Sequence, residues 1–175
     1  MSSEIEAKFK VDCGNLGELR VKLESLGFRY RGLSEEVDYY YSHPCRDFMS
    51  SDEALRVRVT GEGVTLTYKG PRAPSRFKER LEVNVKVDGN IGELLEHLGF
   101  KRALTVRKLR EYFEGEGVIV SIDRVEGLGC FVEVEVKGGG VELIDRVAGV
   151  LGVGGSRVYE TYVELLLKQS SLSSS

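Results

Sequence analysis

The first segment of the sequence carries charged side chains at a spacing that could hold a metal ion beside an anion. Residues 4–11 alternate charged and apolar residues, so Glu4, Glu6 and Lys8 fall on one face of a strand. Neighbours on that face lie about 7 Å apart. Carboxylates suit a hard divalent cation, and an amine suits an anionic substrate. A solvated strand face is the simpler interpretation of this segment taken alone.

The same alternation of apolar and charged residues recurs in later segments of the chain. A polyanion would relieve the repulsion among the clustered cations, and a divalent cation would relieve that among the carboxylates. A triphosphate bound to Mg²⁺ or Mn²⁺ meets both needs. The cations are Lys8, Arg56, Arg58, Lys69, Arg80, Lys108 and Arg110, and the anions are Glu4, Glu6, Glu82, Asp123, Glu133 and Glu135.

Strands dominate the elements that must position these residues. Helical spacing is confined to 16–26, 91–98 and 141–151, and segment 159–168 fits either a helix or a strand. The pattern predicts an α+β fold with an eight-stranded antiparallel closed β-barrel, which we favour over an open sheet. The predicted strands cover 4–11, 28–41, 54–60, 64–69, 77–87, 104–113, 118–124 and 129–137.

The apolar helix faces suggest which way the charged strand faces point. If the helices cover the outside of the barrel, the apolar strand faces must meet them there. The charged faces then point inward and line a polar tunnel, which at eight strands has room for one small ligand. A sheet whose charged faces lie in solvent remains the alternative. A fragment ending in Leu-Gly-Phe occurs at 26–28 and again at 98–100, through either internal duplication or shared turn chemistry.

Composition limits the class of protein. The 175 residues fit one domain or two intimately joined halves, and the net charge of −3 gives no reason to expect nucleic acid as a partner. We find no signal peptide or apolar span of membrane length. Three cysteines at unrelated spacings predict reduced thiols in a cytoplasmic protein. We expect a single domain over 1–168 and a disordered Ser-rich tail over 169–175.

The charged motifs, in their order along the chain, resemble those of a known family. Glu4-x-Glu6-x-Lys8 is similar to the ExExK motif of the CYTH proteins, the triphosphate tunnel metalloenzymes. The similarity continues through the motifs at 55–58, 67–71, 80–82, 108–110, 123 and 133–135. Segments 43–56 and 123–135 look most like the class IV adenylyl cyclase branch. The resemblance implies an antiparallel tunnel with a charged interior and helices packed outside.

The resemblance also implies roles for the charged residues. Glu82 is expected either to bind metal or to hold a basic residue in place, and turnover is expected to depend on Lys8, Glu6 and Glu135 directly. The implied ligands of Mg²⁺ or Mn²⁺ are Glu4, Glu6, Asp123, Glu133 and Glu135, and the implied phosphate ligands are Lys8, Arg56, Arg58, Lys69, Arg80, Lys108 and Arg110.

Three functions remain open at this stage. A class IV adenylyl cyclase would convert ATP to cyclic AMP and pyrophosphate. A triphosphatase would hydrolyse a nucleoside triphosphate, thiamine triphosphate or tripolyphosphate. A non-catalytic module would only bind polyphosphate or a nucleotide. The resemblance suggests a homodimer, and we expect no membrane or nucleic acid partner.

Overall fold

The chain forms a closed antiparallel sheet with helices on its outside, as the sequence predicted. We describe a computed structural model, which covers residues 2–115, 117–138 and 140–173. Within these residues there are nine strands and four helices. The strands are β1 Ser2–Val11, β2 Arg29–Ser42, β3 Ala54–Thr60, β4 Gly63–Lys69, β5 Lys78–Val87, β6 Lys101–Gly115, β7 Val118–Val125, β8 Gly129–Val136 and β9 Arg157–Val158. The helices are α1 Leu16–Ser25, α2 Ile91–His97, α3 Glu142–Leu151 and α4 Tyr162–Ser173.

The strand order shows how the sheet closes. Neighbouring strands follow the order β5-β4-β3-β2-β6-β7-β8-β1-β9, and β5 also pairs with β1. That last pairing makes an eight-stranded antiparallel barrel of β1 to β8, with the two-residue strand β9 as an extra pairing on β1. A closed sheet leaves no unpaired edge among its own strands.

The chain divides into two compact units, each built from two stretches of sequence. The first unit contains residues 2–4 and Glu35–Arg107, and the second contains Ile5–Ser34 and residues 108–173. In the second unit, α1 and α3 pack together and α3 also packs on β8. They bury Leu19 and Leu23 of α1 and Ile144 and Leu151 of α3.

In the second unit, the pairing of β1 with β8 separates an apolar face from a charged one. Ala7 lies opposite Val134 and Phe9 opposite Val132, and all four side chains are buried. The residues between them, Lys8 and Glu133, are also directly opposite each other. Because side chains alternate across a strand, this pair points to the other face of the sheet. The predicted inward charged face is therefore present here.

In the first unit, the apolar face of the sheet is covered only in part. Tyr41, Leu55 and Val57 form a buried cluster with Leu95 of α2. On β5, by contrast, Leu81, Val83 and Val85 are 38%, 39% and 50% exposed. The expectation that helices cover the apolar faces is thus met at α2 but not along β5.

The recurring Leu-Gly-Phe fragment is a helix-ending motif at both positions. Gly27 and Gly99 adopt φ values of +84° and +92°, where glycine is favoured. The amide of Phe28 donates to the carbonyl of Leu23 at 3.0 Å, and the amide of Phe100 donates to that of Leu95 at 3.0 Å. These are the bonds of a Schellman cap. Shared turn chemistry therefore accounts for the fragment, without any need for duplication.

The cysteine prediction was wrong. Cys13 and Cys130 form a disulfide, and Cys45 is free and exposed. The two bonded residues are 117 positions apart in the sequence. They meet because β1 pairs with β8, which places Val11 opposite Cys130. Sequence spacing alone does not reveal such a pairing.

The expectation of a disordered tail over 169–175 was also wrong for its first part. Segment 159–168, left open between helix and strand, contributes to α4, which continues to Ser173. The hydroxyl of Ser170 donates to the carbonyl of Leu166 at 3.0 Å, and that of Ser171 to the carbonyl of Lys168 at 2.7 Å. These bonds accommodate serine within the helix. Residues 174 and 175 lie outside the described part of the chain. None of the helices described is long and apolar enough to cross a membrane.

Candidate functional site

Charged side chains are buried in both units of the protein. Burying a charge is costly unless it is ion-paired and hydrogen-bonded, so such residues need partners. Apart from Lys78, the buried charged residues lie in two clusters, one in each unit, which also include partly buried side chains and which we name after the central arginine of each. The Arg58 cluster contains Glu4, Glu36, Asp38, Arg56, Arg58, Thr67, Lys69 and Glu82, and the Arg110 cluster contains Lys8, Lys108, Arg110, Asp123, Glu133 and Tyr162.

In the first unit, Arg58 is held by two buried carboxylates. Its Nε and Nη2 donate to Oδ1 and Oδ2 of Asp38 at 2.7 and 2.8 Å. Its Nη1 lies 3.0 Å from Oε2 of Glu36. Arg58 and Asp38 are directly opposite each other on β3 and β2, so strand pairing sets this fork-to-carboxylate geometry. Sequence reasoning placed Arg58 on the inward face but missed both of its acidic partners.

Arg56 extends this network toward β4. Its Nη1 lies 3.7 Å from Oδ2 of Asp38, and its Nη2 donates to Oγ1 of Thr67 at 3.2 Å. Thr67 donates in turn to Oδ1 of Asn84 at 2.7 Å. Arg56 and Thr67 are opposite each other in the β3–β4 register, which explains their contact. Arg56 and Thr67 are both buried, so their hydrogen bond restrains the guanidinium group of Arg56, which has no bidentate acidic partner.

Lys69 lies between two acidic residues of the same unit. Its Nζ is 2.6 Å from Oε2 of Glu4 and 2.6 Å from Oε2 of Glu82. Burial alone would raise the pKa of Glu82, but its hydrogen bond with Glu4 and the charge of Lys69 hold that pKa well below its usual range. Glu82 is thus ion-paired with a basic residue, and the choice between the two roles expected for it stays a prediction.

Arg80 stands apart from these contacts. It is half-buried on β5. Burial alone would raise the pKa of Asp52, but hydrogen bonds from Arg72, one of them at 2.9 Å, and the charges of Arg72 and then Arg80 hold that pKa below its ordinary value. The assignment of Arg80 to phosphate binding stays a prediction.

In the second unit, Arg110 bridges two carboxylates. Its Nε donates to Oδ1 of Asp123 at 2.6 Å, and its Nη2 contacts both Asp123 and Glu133. Lys8 lies 3.3 Å from Oε1 of Glu133, and Lys108 lies 3.9 Å from Oδ2 of Asp123. The pairing of β6 with β7 sets Arg110 opposite Asp123. The structure therefore brings together five of the residues predicted for this site.

Tyr162 completes the Arg110 cluster from α4. Its hydroxyl donates to Oδ2 of Asp123 at 2.6 Å, and its ring lies under Nζ of Lys8, with 3.7 Å to the ring centroid. Burial and then the charge of Asp123 raise the pKa of Tyr162 well above its ordinary value, so its hydroxyl stays a donor. Sequence reasoning missed this residue, because nothing in the pattern of segment 159–168 shows which strand it meets.

Glu6 and Glu135 form a directly opposed acidic pair. They face each other in the β1–β8 register, where like charges destabilise a sheet unless a cation lies near. Glu135 contacts Lys137. Among residues with described side chains, no group of three or more acidic, histidine or cysteine side chains is arranged to hold a metal ion. Mg²⁺, however, is usually held by one or two carboxylates together with substrate phosphates and water. The pair of Glu6 and Glu135 fits that mode of binding.

The chain is similar to known proteins over most of its length. The CYTH domain model matches residues 2–150. MJ0240 of Methanocaldococcus jannaschii, provisionally named an adenylate cyclase, is 36% identical over 146 residues, which cover 82% of either chain. The PH1819 protein of Pyrococcus horikoshii has 37% identity and a TM-score of 0.81, covering 95% of this chain and 99% of its own.

A more distant structure shares the fold alone. HpAC1 from Hippeastrum, described as a provisional adenylyl cyclase with a dominant triphosphatase activity, has a TM-score of 0.65 at 18% identity, with 98% of this chain and 96% of its own covered.

The predicted family is confirmed by the match over most of the chain together with the identity to MJ0240: the chain belongs to the CYTH domain family.

Proposed function

We propose that this protein is a metal-dependent enzyme acting on a nucleoside triphosphate, and that it converts ATP to cyclic AMP and pyrophosphate. The observation that carries the proposal is the pair of buried clusters at the positions of the family's charged motifs. In each cluster, arginine and lysine side chains are held in fixed positions by carboxylates. Membership of the CYTH family and the name of the relative MJ0240 support the choice of substrate.

The cations of both clusters are suited to phosphate oxygens. Arg58 and Arg110 present planar guanidinium forks, which bind two oxygens of one phosphate group at once. Lys8 and Lys69 present ammonium groups, which bind as point charges. Because carboxylates and aromatic rings already fix these groups, little side-chain entropy is lost when phosphate binds. We assign to these residues the recognition of the triphosphate, together with Arg56, Arg80 and Lys108.

Mg²⁺ or Mn²⁺ would be held by Glu6 and Glu135, and we assign Glu4, Asp123 and Glu133 to the same role. The bound ion would neutralise phosphate oxygens and orient the attacking group. Since two carboxylates alone make an incomplete set of ligands, we expect the ion to bind together with the triphosphate. Tripolyphosphate affinity, measured by calorimetry, should therefore rise when Mg²⁺ is added.

Cyclisation joins two parts of the same ATP molecule. The ribose 3′-oxygen forms a bond to the α-phosphorus as its hydroxyl loses a proton to water, and the bond from that phosphorus to the bridging oxygen breaks, so that pyrophosphate leaves. Negative charge grows on the non-bridging and leaving oxygens. We assign to Lys8 the stabilisation of this negative charge, because its ammonium is buried and held in place. A donor that is shielded from water stabilises a developing anion more strongly than a donor in water.

A triphosphatase is the second candidate. The clusters provide for phosphate recognition, whereas no adenine-binding motif is visible in the sequence. HpAC1, which has the same fold, is described with a dominant triphosphatase activity. In that reaction water attacks the γ-phosphorus, and the same cations would stabilise the charge on the phosphate oxygens.

Product identification separates the candidates. The protein is incubated with ATP and Mg²⁺ or Mn²⁺, and then with thiamine triphosphate and tripolyphosphate. Cyclic AMP with pyrophosphate supports the cyclase, and ADP with phosphate supports the hydrolase. Unchanged ATP that nevertheless binds would leave a non-catalytic module, and the absence of both binding and turnover would refute the proposal.

Acidic variants test the assignment of the metal ligands. Glu6→Gln and Glu135→Gln should abolish turnover, because each removes half of the opposed carboxylate pair. Glu62→Gln is the matched control, since Glu62 is exposed in the turn between β3 and β4. Full activity in either site variant would remove the metal role that we assign to that residue.

Two further expectations are independent of the chemistry. The homodimer stays a prediction, which analytical ultracentrifugation would test by giving the mass in solution. The cytoplasmic location also stays a prediction, and fractionation of the source cells would test it.

A further inference from the structure

We propose that Tyr162 is a positioning residue for phosphate binding. Its hydroxyl donates to the carboxylate of Asp123, and its ring packs against the ammonium of Lys8. In this way α4 contributes a side chain to the Arg110 cluster. Residue 162 lies beyond the stretch 2–150 that the CYTH domain model matches. The inference rests on the proposed function, because it concerns the same triphosphate.

The local sequence fixes where α4 begins. The hydroxyl of Thr161 accepts from the amide of Glu164 at 3.2 Å, while the carboxylate of Glu164 accepts from the amide of Thr161 at 2.6 Å. This reciprocal pair is a capping box. Tyr162 is the first residue of the helix that follows. Its backbone is therefore held at a defined place, which a loop residue would lack.

Packing then fixes the ring of Tyr162. The ring meets Phe131 edge to face, with centroids 5.1 Å apart and planes inclined by 64°. Only 6% of Tyr162 is exposed. Edge-to-face packing is a favoured arrangement of aromatic pairs. The hydroxyl is thus presented to Oδ2 of Asp123 by a side chain with little freedom to move.

The position of the Asp123 carboxylate in turn orients Arg110. The Asp123 carboxylate is fully buried and accepts from Arg110 through both oxygens, and from Tyr162 through Oδ2. A guanidinium that makes two parallel hydrogen bonds to a carboxylate lies in the plane of that carboxylate. The Tyr162 hydroxyl therefore helps to set the direction in which Arg110 presents its remaining donors.

Lys8 depends on the same segment of chain. Its Nζ has three described contacts: Glu133 at 3.3 Å, the carbonyl of Glu160 at 3.4 Å and the Tyr162 ring at 3.7 Å. Two of these three come from residues 160–162. An ammonium over an aromatic face is attracted by the ring's negative face. The ring therefore holds Lys8 without neutralising it, which keeps its positive charge available to phosphate.

Two substitutions separate the hydroxyl from the ring. Tyr162→Phe removes the hydroxyl but keeps the ring against Phe131 and Lys8, and Tyr162→Leu removes both. Tripolyphosphate is titrated by calorimetry into each variant in the presence of Mg²⁺. We expect affinity to fall about tenfold in the Phe variant, since one hydrogen bond to a charged group is lost, and further in the Leu variant. Tyr159→Phe is the control, because Tyr159 is 60% exposed nearby.

A double-mutant cycle shows whether the hydroxyl acts through Asp123. In Asp123→Asn the fork from Arg110 is already weakened, so adding Tyr162→Phe should reduce affinity much less than it does alone. A purely structural role would instead give additive losses that follow the melting temperature. Additive losses, or unchanged affinity in Tyr162→Phe, would overturn the inference.

The outcome for the unaltered protein separates this inference from the proposed function. If it fails to bind tripolyphosphate, the proposed function fails and the inference falls with it. If it binds with the same affinity as the Phe variant, only the role of Tyr162 is refuted. Melting temperatures measured alongside show that the Phe variant is folded, which its retained ring packing leads us to expect.

Discussion

Removal of the disulfide should destabilise the protein strongly. The bond between Cys13 and Cys130 closes a loop with a sequence separation of 117 residues. For a loop of that length, the chain-entropy relation gives about 4.9 kcal/mol of stabilisation at 25 °C, and removal of natural disulfides costs about 2 to 5 kcal/mol. We therefore expect Cys13→Ala to lower the free energy of unfolding by about 3 to 5 kcal/mol.

Cys13→Ala is the appropriate substitution because the two bonded cysteines differ in exposure. Cys13 is exposed, whereas Cys130 is fully buried and, as a thiol, behaves as a small apolar residue. Replacing Cys130 with serine would add a buried hydroxyl, whose cost would be confused with loss of the bond. Cys45→Ala is the control, since Cys45 is free and exposed.

Urea unfolding under equilibrium conditions measures the effect. With an m value of about 2 kcal/mol per molar, the midpoint should fall by about 1.5 to 2.5 M. Reductant should lower the midpoint of the unaltered protein to a similar value and leave that of Cys13→Ala unchanged. Equal midpoints for Cys13→Ala and the unaltered protein would refute the reasoning, as would three free thiols in the denatured, unreduced protein.

Three further predictions concern single residues. Asp38→Asn should lower the free energy of unfolding by about 3 kcal/mol in a urea titration, because Asp38 is buried and its substitution leaves the partly buried Arg58 with a weakened partner. A loss below about 1 kcal/mol, on the order of a surface ion pair, would contradict this. Glu82 has a depressed pKa in the folded state, so its contribution is present above about pH 4.5 and is lost as the pH falls. The difference in stability between Glu82→Gln and the unaltered protein should therefore shrink from pH 7 to pH 3, and a constant difference would argue against the ion pair with Lys69. Thr161→Ala should cost about 1 kcal/mol in the same assay through loss of the cap, and no loss would count against the capping box.

Period-two patterning made much of the fold predictable from the sequence. The alternation in residues 4–11 places Lys8 on the face opposite Ala7 and Phe9, and the alternation in 129–137 places Glu133 on the face opposite Val132 and Val134. The β1–β8 register confirms that Lys8 and Glu133 share a face. A closed sheet was favoured because the sequence predicts about eight strands and few helices. The charged faces were placed inward because the apolar faces of the helices need an apolar sheet surface to cover. Both inferences depend on local periodicity, which the sequence displays directly.

The acidic partners of the arginines were harder to predict. Glu36 and Asp38 alternate along β2 in the same way as Glu4 and Glu6 along β1, so a signal was present. Tyr39, Tyr40 and Tyr41 obscured it, because the aromatic run hides which face is apolar. Long-range pairings have no such local signal: the disulfide and the bond from Tyr162 to Asp123 depend on which strands become neighbours.

The ion pairing of the clusters bears on how a triphosphate could bind. Arg58, Lys69 and Arg110 each contact two carboxylates. A phosphate oxygen that binds one of them competes with a carboxylate, and a carboxylate released in a buried site without a partner is costly. In the proposed function, phosphate binding would therefore need a compensating positive charge, and a divalent cation that draws carboxylates to itself would supply it. The pairing thus gives the proposed metal dependence a physical reason that is independent of the family's motifs.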